Sequence, residues 1–206
     1  MRWFLIGVFS ACAIALIAGF ISLRQARGFS TREQPTPGER WMARQARTLA
    51  MPVDAKARIN PVMDTPEAIA EGSAHWADHC FSCHANDGSG DTILGKSLYP
   101  PAPDMRLAAT QQLTDGELFY VIQNGIRLTG MPAWGTGSAR DEEDSWKLVR
   151  FIRHLPQLTL EEKKSMEKLN PRSPDELREE QEEERFLKGD DRNDNTNEPE
   201  PQHHHH

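Results

Sequence analysis

Residues 77–92 read "ADHCFSCHANDGSGDT" and hold two of the chain's three cysteines, Cys80 and Cys83, with His84 directly behind the second. Two thiols at this spacing serve three chemistries: a redox dithiol, half of a structural zinc site, or thioether attachment of a haem. Each requires a different protein around it, so the surrounding sequence has to discriminate.

Structural zinc takes four ligands, usually as two Cys or His pairs. Only one pair exists here, because Cys12 lies inside an apolar run. A thioredoxin-like dithiol opens a helix that follows a strand. This pair instead ends a helix that Thr65-Pro66-Glu67 starts, running from about Pro66 to Asp78, with no strand before it. The haem reading fits the residue types. Two thiols can add to the two vinyl groups of one haem, and the adjacent His84 imidazole then falls under the iron as proximal ligand. A second ligand is also present: "NGIRLTGMPAWG" places Met131 in a Gly-Met-Pro turn, 47 residues after His84. None of the other six methionines lies in so tightly shaped a loop. The expectation is one covalent haem c with His84 and Met131 on the iron, an arrangement that raises the potential and leaves no open site.

Around this centre the chain divides into four parts: 1–24, 25–62, 63–157 and 158–206. Trp3 to Leu23 is twenty-one residues without a charge. At about 1.5 Å per residue such a helix spans roughly the 30 Å hydrocarbon core of a bilayer. An uncleaved anchor is preferred over a signal peptide, because the best cleavage candidate, Ala13-Ile14-Ala15, would cut the apolar run in half. Arg24, Arg27 and Arg32 follow the span and only Arg2 precedes it, so the charge asymmetry alone would keep the rest of the chain cytoplasmic. Residues 25–62 read as a flexible tether, within which "GERWMARQARTLA" can form a short surface helix. Beyond the loop at 88–103, a helix runs from Thr114 to Asn124, started by Thr114 and Glu117 and stopped by Gly125. Another spans about Glu142 to Leu155, with Trp146, Val149 and Ile152 on its apolar side.

After Pro156, Thr159 and Glu162 announce a short helix to about Leu169. Ser173-Pro174-Asp175-Glu176 then starts a charged helix that Gly189 ends, before a stretch with the composition of disorder. Pro171 to Gln202 contains twelve acids and five bases, which accounts for the whole net charge of −7. The rest of the chain has no basic excess and no basic-aromatic stripe, which argues against a nucleic-acid partner. The acidic tail reads as a solvated extension, with docking as the alternative. His203–His206 reads as an appended tract rather than a native metal-binding one.

From about Asn60 to Leu155, "HCFSCHANDGSGDT", "LYPPAPDM", "LTDGELFYVIQNGIRLTGMPAWG" and "WKLVRFIRHL" follow one another. In these motifs and their order the stretch resembles monohaem class I cytochromes c. The resemblance implies an all-α cytochrome c fold around one covalent haem, in which the first and last helices cross closely. Gly72 and Trp76 would there meet Phe151. It also implies that the carbonyl of Pro100 or Pro101 accepts a hydrogen bond from His84, and that Trp134 and Arg127 contact a haem propionate. Such cytochromes often carry glycine where this chain has Ala85, a residue that has only to fit the turn. His75, His79 and His154 read as surface or haem-edge residues.

Haem is joined to cytochromes of this kind outside the bacterial cytoplasmic membrane. That puts the domain on the periplasmic side of a single-pass anchor and overrides the charge asymmetry. The expected function is a one-electron carrier, not an enzyme, between a donor reductase or dehydrogenase and an acceptor oxidase or other reductase. Two alternatives are a fixed cytochrome subunit of a larger respiratory oxidoreductase, and a gas- or peroxide-reactive haem protein in which Met131 dissociates.

Overall fold

A computed structural model describes residues 1–25, 30–31 and 33–188. Arg27, Arg32, Gly189, the disordered-type stretch after it and His203–His206 lie outside the described residues. Residues 1–170 form one unit and 171–206 another. In the first, the order is α1 (Arg2–Gln25), α2 (Pro37–Ala50), α3 (Val53–Ala57), α4 (Pro66–His79), α5 (Phe81–His84), α6 (Ile93–Ser97), α7 (Ala108–Gln111), α8 (Asp115–Asn124), α9 (Ala139–His154), a 3-10 turn at Leu155–Gln157 and α10 (Leu160–Glu167). The second holds α11 (Pro174–Leu187). No strand occurs among the described residues, so the all-helical expectation holds.

Local sequence explains where the longer helices begin. Thr65 caps α4 by accepting from the Ala68 N–H, with Pro66 in the first turn. Thr114 with Glu117, Thr159 with Glu162, and Ser173 with Glu176 form complete capping boxes at α8, α10 and α11. Each box satisfies two backbone donors that a helix start leaves open. Helix α9 begins three residues before the expected Glu142, because Ser138 accepts from the Asp141 N–H. Its first turn, Ala-Arg-Asp, carries no apolar periodicity that would have revealed it.

The core is the crossing of α4 and α9, where Gly72 lets the two backbones touch. A Cβ at position 72 would run into the Lys147 carbonyl and press on Phe151 Cβ. One turn further on, the Trp76 and Phe151 rings lie 5.5 Å apart, both almost wholly buried. The Lys147 ammonium reaches back to Glu71 at 2.7 Å across the same crossing. Phe119 of α8 stacks on Trp146 of α9 at 4.0 Å and closes the other side.

Two segments outside this crossing are packed rather than loose. Met51 and Ala55, inside the stretch expected to be a tether, are buried, and Gly116 gives the Ala55 carbonyl room against α8. The Asn60 amide donates to the Trp146 carbonyl at 3.0 Å. Past the expected domain end, Met166 of α10 is 2% exposed within the main apolar cluster. Lys163 of that helix pairs with Asp87 at 3.3 Å.

The N-terminal helix is long and apolar enough to cross a bilayer. The twenty-residue span Arg2–Ile21 holds an 18-residue window with a mean hydropathy of 2.6, none of it buried inside the molecule.

Candidate functional site

Cys80 caps the end of α4, and a single further turn, α5, carries the chain to His84. The Cys80 N–H donates to the Trp76 carbonyl at 2.8 Å, and the His84 N–H to the Cys80 carbonyl at 2.9 Å. Positions 80, 83 and 84 are therefore three and four apart on helical backbone and share one face. The next residue breaks the helix: Ala85 has φ 59° and ψ 162°. Its carbonyl accepts from Trp76 Nε1 at 2.9 Å, which ties the turn to the core. The loop is further held by the Gly90 N–H on the His84 carbonyl at 2.9 Å and by Thr92 Oγ1 donating to the Ser82 carbonyl at 2.7 Å.

The His84 ring lies 5.6 Å from Trp76 and forms no side-chain hydrogen bond among the described residues. Its Nδ1 is fully enclosed without a partner. Burial pushes its pKa down to about 4, so the imidazole is neutral and keeps a free lone pair. Burial, with Cys83 adding to it, pushes the Cys80 thiol up to about 12. Neither cysteine is in a disulfide.

The Met131 loop leaves α8 at Gly125, where φ is 67°. It folds back on itself through the Ile126 N–H on the Met131 carbonyl at 3.1 Å and the Met131 N–H on Thr129 Oγ1 at 3.2 Å. It returns to α8 through the Trp134 N–H on the Ile122 carbonyl at 3.0 Å. A cavity of about 410 Å³ has Cys80, Cys83, His84 and Met131 in its wall, and Leu98 and Ile126 supply part of the apolar surface. This volume lies within the usual range for small-molecule and cofactor sites.

The other expected residues divide. Pro100, Pro101 and Trp134 line the cavity, whereas Arg127 is exposed and stands off its wall. No hydrogen bond joins either proline carbonyl to His84. His79 lines the cavity edge-on to Trp134 at 5.4 Å and stacks with His75 at 4.7 Å. His154 Nε2 is taken up by Glu162 at 2.8 Å. No cluster of three or more His, Cys, Asp or Glu side chains suited to a metal ion occurs among the described residues.

Sequence reasoning missed Arg40, Arg44 and Arg47 of α2, which also line the cavity. Their i, i+4, i+7 spacing marks one helix face, but nothing local says where that face points.

Residues 67–152 match the profile of the family described as cytochrome c oxidase, cbb3-type, subunit III. No curated protein matches the chain. The matched stretch begins one residue into α4, includes both the cysteine turn and the methionine loop, and ends within α9. Over these residues the chain is a c-type cytochrome domain.

Proposed function

We propose that the protein is a membrane-tethered one-electron carrier, with one haem joined through Cys80 and Cys83 and ligated by His84 and Met131. The observation that carries this reading is the shared cavity wall: two unpaired thiols, an unengaged neutral imidazole and a thioether all open onto it. The residues fit the group in kind as well as number, since an iron porphyrin needs apolar walls, a nitrogen donor and a soft sulfur donor. When bound, the haem supplies one-electron iron chemistry at a potential that the protein sets.

The chain's own residues have distinct tasks in this reading. The turn from Cys80 to His84 presents two attachment points and one ligand from a single rigid segment, with Trp76 holding its end. The methionine loop, closed by its own hydrogen bonds, presents the thioether without needing the ligand to shape it. Leu98, Ile126 and the prolines keep water from the site, which disfavours the more highly charged ferric state and raises the potential. Helix α1 supports anchoring in a membrane, and covalent haem attachment, which occurs outside the bacterial cytoplasmic membrane in cytochromes of this kind, supports a periplasmic haem domain. Donor and acceptor are then membrane-associated redox proteins.

Haem staining of a denaturing gel tests the attachment. The Cys80→Ala/Cys83→Ala variant is expected to lose all covalent haem, and retained stain overturns the proposal. Met131→Ala is expected to keep covalent haem but lose the weak long-wavelength sulfur-to-iron band of the oxidised protein. A second reading, a fixed subunit of a respiratory oxidoreductase, is favoured by the description of the matching family as an oxidase subunit. Stable co-purification with a catalytic subunit after detergent extraction would select it over the free carrier.

A further inference from the structure

Helix α2 lies outside the residues that match the cytochrome family, yet it forms part of the cavity wall. It is fastened at both ends. Thr36 and Glu39 make a complete capping box at its start, and the Glu39 carboxylate lies near enough to Tyr99, beside the cavity prolines, to help hold the phenol's pKa up, after desolvation. Pro35, just before it, is buried and also lines the cavity. At the other end Met51 is buried, and the Thr48 carbonyl accepts from Lys56 Nζ at 2.9 Å.

The face that α2 turns to the cavity is the charged one. Arg40, Arg44 and Arg47 follow one another down that side with Ala43 between them. The apolar residues lie away from the cavity, Trp41 on the flank and Met42 and Leu49 opposite the arginine row, and they are 63%, 58% and 84% exposed. Burial of apolar area would rotate the helix the other way, so another interaction must favour the observed facing. Three neighbouring guanidiniums repel one another, and no Asp or Glu lines this cavity to offset them. None of the three side chains has an ion pair or hydrogen bond among the described residues. A planar guanidinium is matched best by a carboxylate, which it holds through two parallel hydrogen bonds. A haem carries two carboxylates on one edge, as its propionates.

We infer that α2 is a strap across the propionate edge of the haem, and that Arg40, Arg44 and Arg47 are the counter-ions of the two propionates. The inference rests on the proposed haem occupancy of the cavity. Fixed positive charge beside the haem favours the electron-rich ferrous state, so the strap holds the midpoint potential above the value that the 67–152 domain would set alone.

Redox titration of the full-length haem protein, with optical detection, tests this. The Arg40→Gln/Arg44→Gln/Arg47→Gln variant is expected to keep covalent haem and the His/Met spectrum while its midpoint potential falls. Its propionate bending modes in resonance Raman spectra are expected to shift at the same time. A triple Arg→Lys variant, which keeps the charge, is expected to recover most of the lost potential. The apolar-side variant Trp41→Ser/Met42→Ser/Leu49→Ser is expected to leave it unchanged. An unaltered potential in the glutamine variant overturns the strap, including the case where only the salt dependence of electron transfer to a partner changes, since the row would then be a docking surface. An equal fall in the apolar-side variant overturns it too. Failure of haem attachment in the wild-type protein would instead remove the occupancy reading, and is scored separately by the cysteine variant.

Discussion

Ala85 occupies a backbone region, φ 59° and ψ 162°, that is almost reserved for glycine. The helix must stop abruptly behind His84, and the reversal places the Ala85 carbonyl on Trp76 Nε1. Such strain costs about 1–3 kcal/mol, partly offset by the greater unfolded-state freedom of glycine. Ala85→Gly is therefore expected to stabilise the haem protein by about 1 kcal/mol, read as a higher Tm. The resemblance marks position 85 as one where glycine is common, but the residues alone do not give its conformation, which follows from the tertiary anchoring of the turn. Two residues on, Asp87 accepts from the Ser89 N–H and pairs with Lys163 and Arg106. Partial burial pushes its pKa up, but the bonds from Ser89 and the charge of Lys163 outweigh that and hold it below 3.8. A depressed carboxylate contributes stability that is complete above the unfolded pKa and is lost as pH falls through the folded one. Asp87→Asn is thus expected to lower stability by about 1–2 kcal/mol at neutral pH and to flatten the loss seen below pH 3.8. Urea denaturation at several pH values measures both.

Among the elements, α4 and α9 decide whether the site assembles. Cys80 and His84 hang on the end of α4, so any tilt of that helix moves the whole cysteine turn. Gly72→Val forces a side chain into the Lys147 backbone. It is expected to destabilise the protein by about 2–3 kcal/mol, seen as a lower urea midpoint with unchanged slope. The Gly72–Phe151 meeting was legible from the resemblance, and the caps at Thr65, Thr114 and Thr159 were legible from local chemistry. The short helices α3, α6 and α7 were not, since four or five residues hold too few periods to register. Their existence depends on docking: α3 forms where Gly116 opens a seat for it, and α6 where Thr92 caps its own first turn and bonds back to Ser82.

At the scale of the whole molecule, helix α1 and the packed segments on either side of the matched domain extend the chain beyond the cytochrome unit. If α1 anchors the chain, full-length protein is expected in the membrane fraction after high-salt and alkaline washes. A chain beginning at Ser30, exported behind a cleavable secretion signal, is then expected in the soluble fraction with an unchanged haem spectrum. Full-length protein released by salt alone would sink the tether. The Cys80-to-His84 motif, the candidate sulfur ligand, the apolar N-terminal helix and the acidic tail were all readable from the sequence by itself. Each depends on residue type and on spacing within one or two helical turns, or on composition, and these do not need a partner element to be recognised. Only the tertiary structure decided that Met51–Val62 and α10 pack onto the core, that Arg127 stands away from the cavity, and that α2 turns its arginines rather than its apolar face toward it. Those outcomes depend on which surfaces meet between segments far apart in the chain, and a helical pattern defines a face without defining its neighbour.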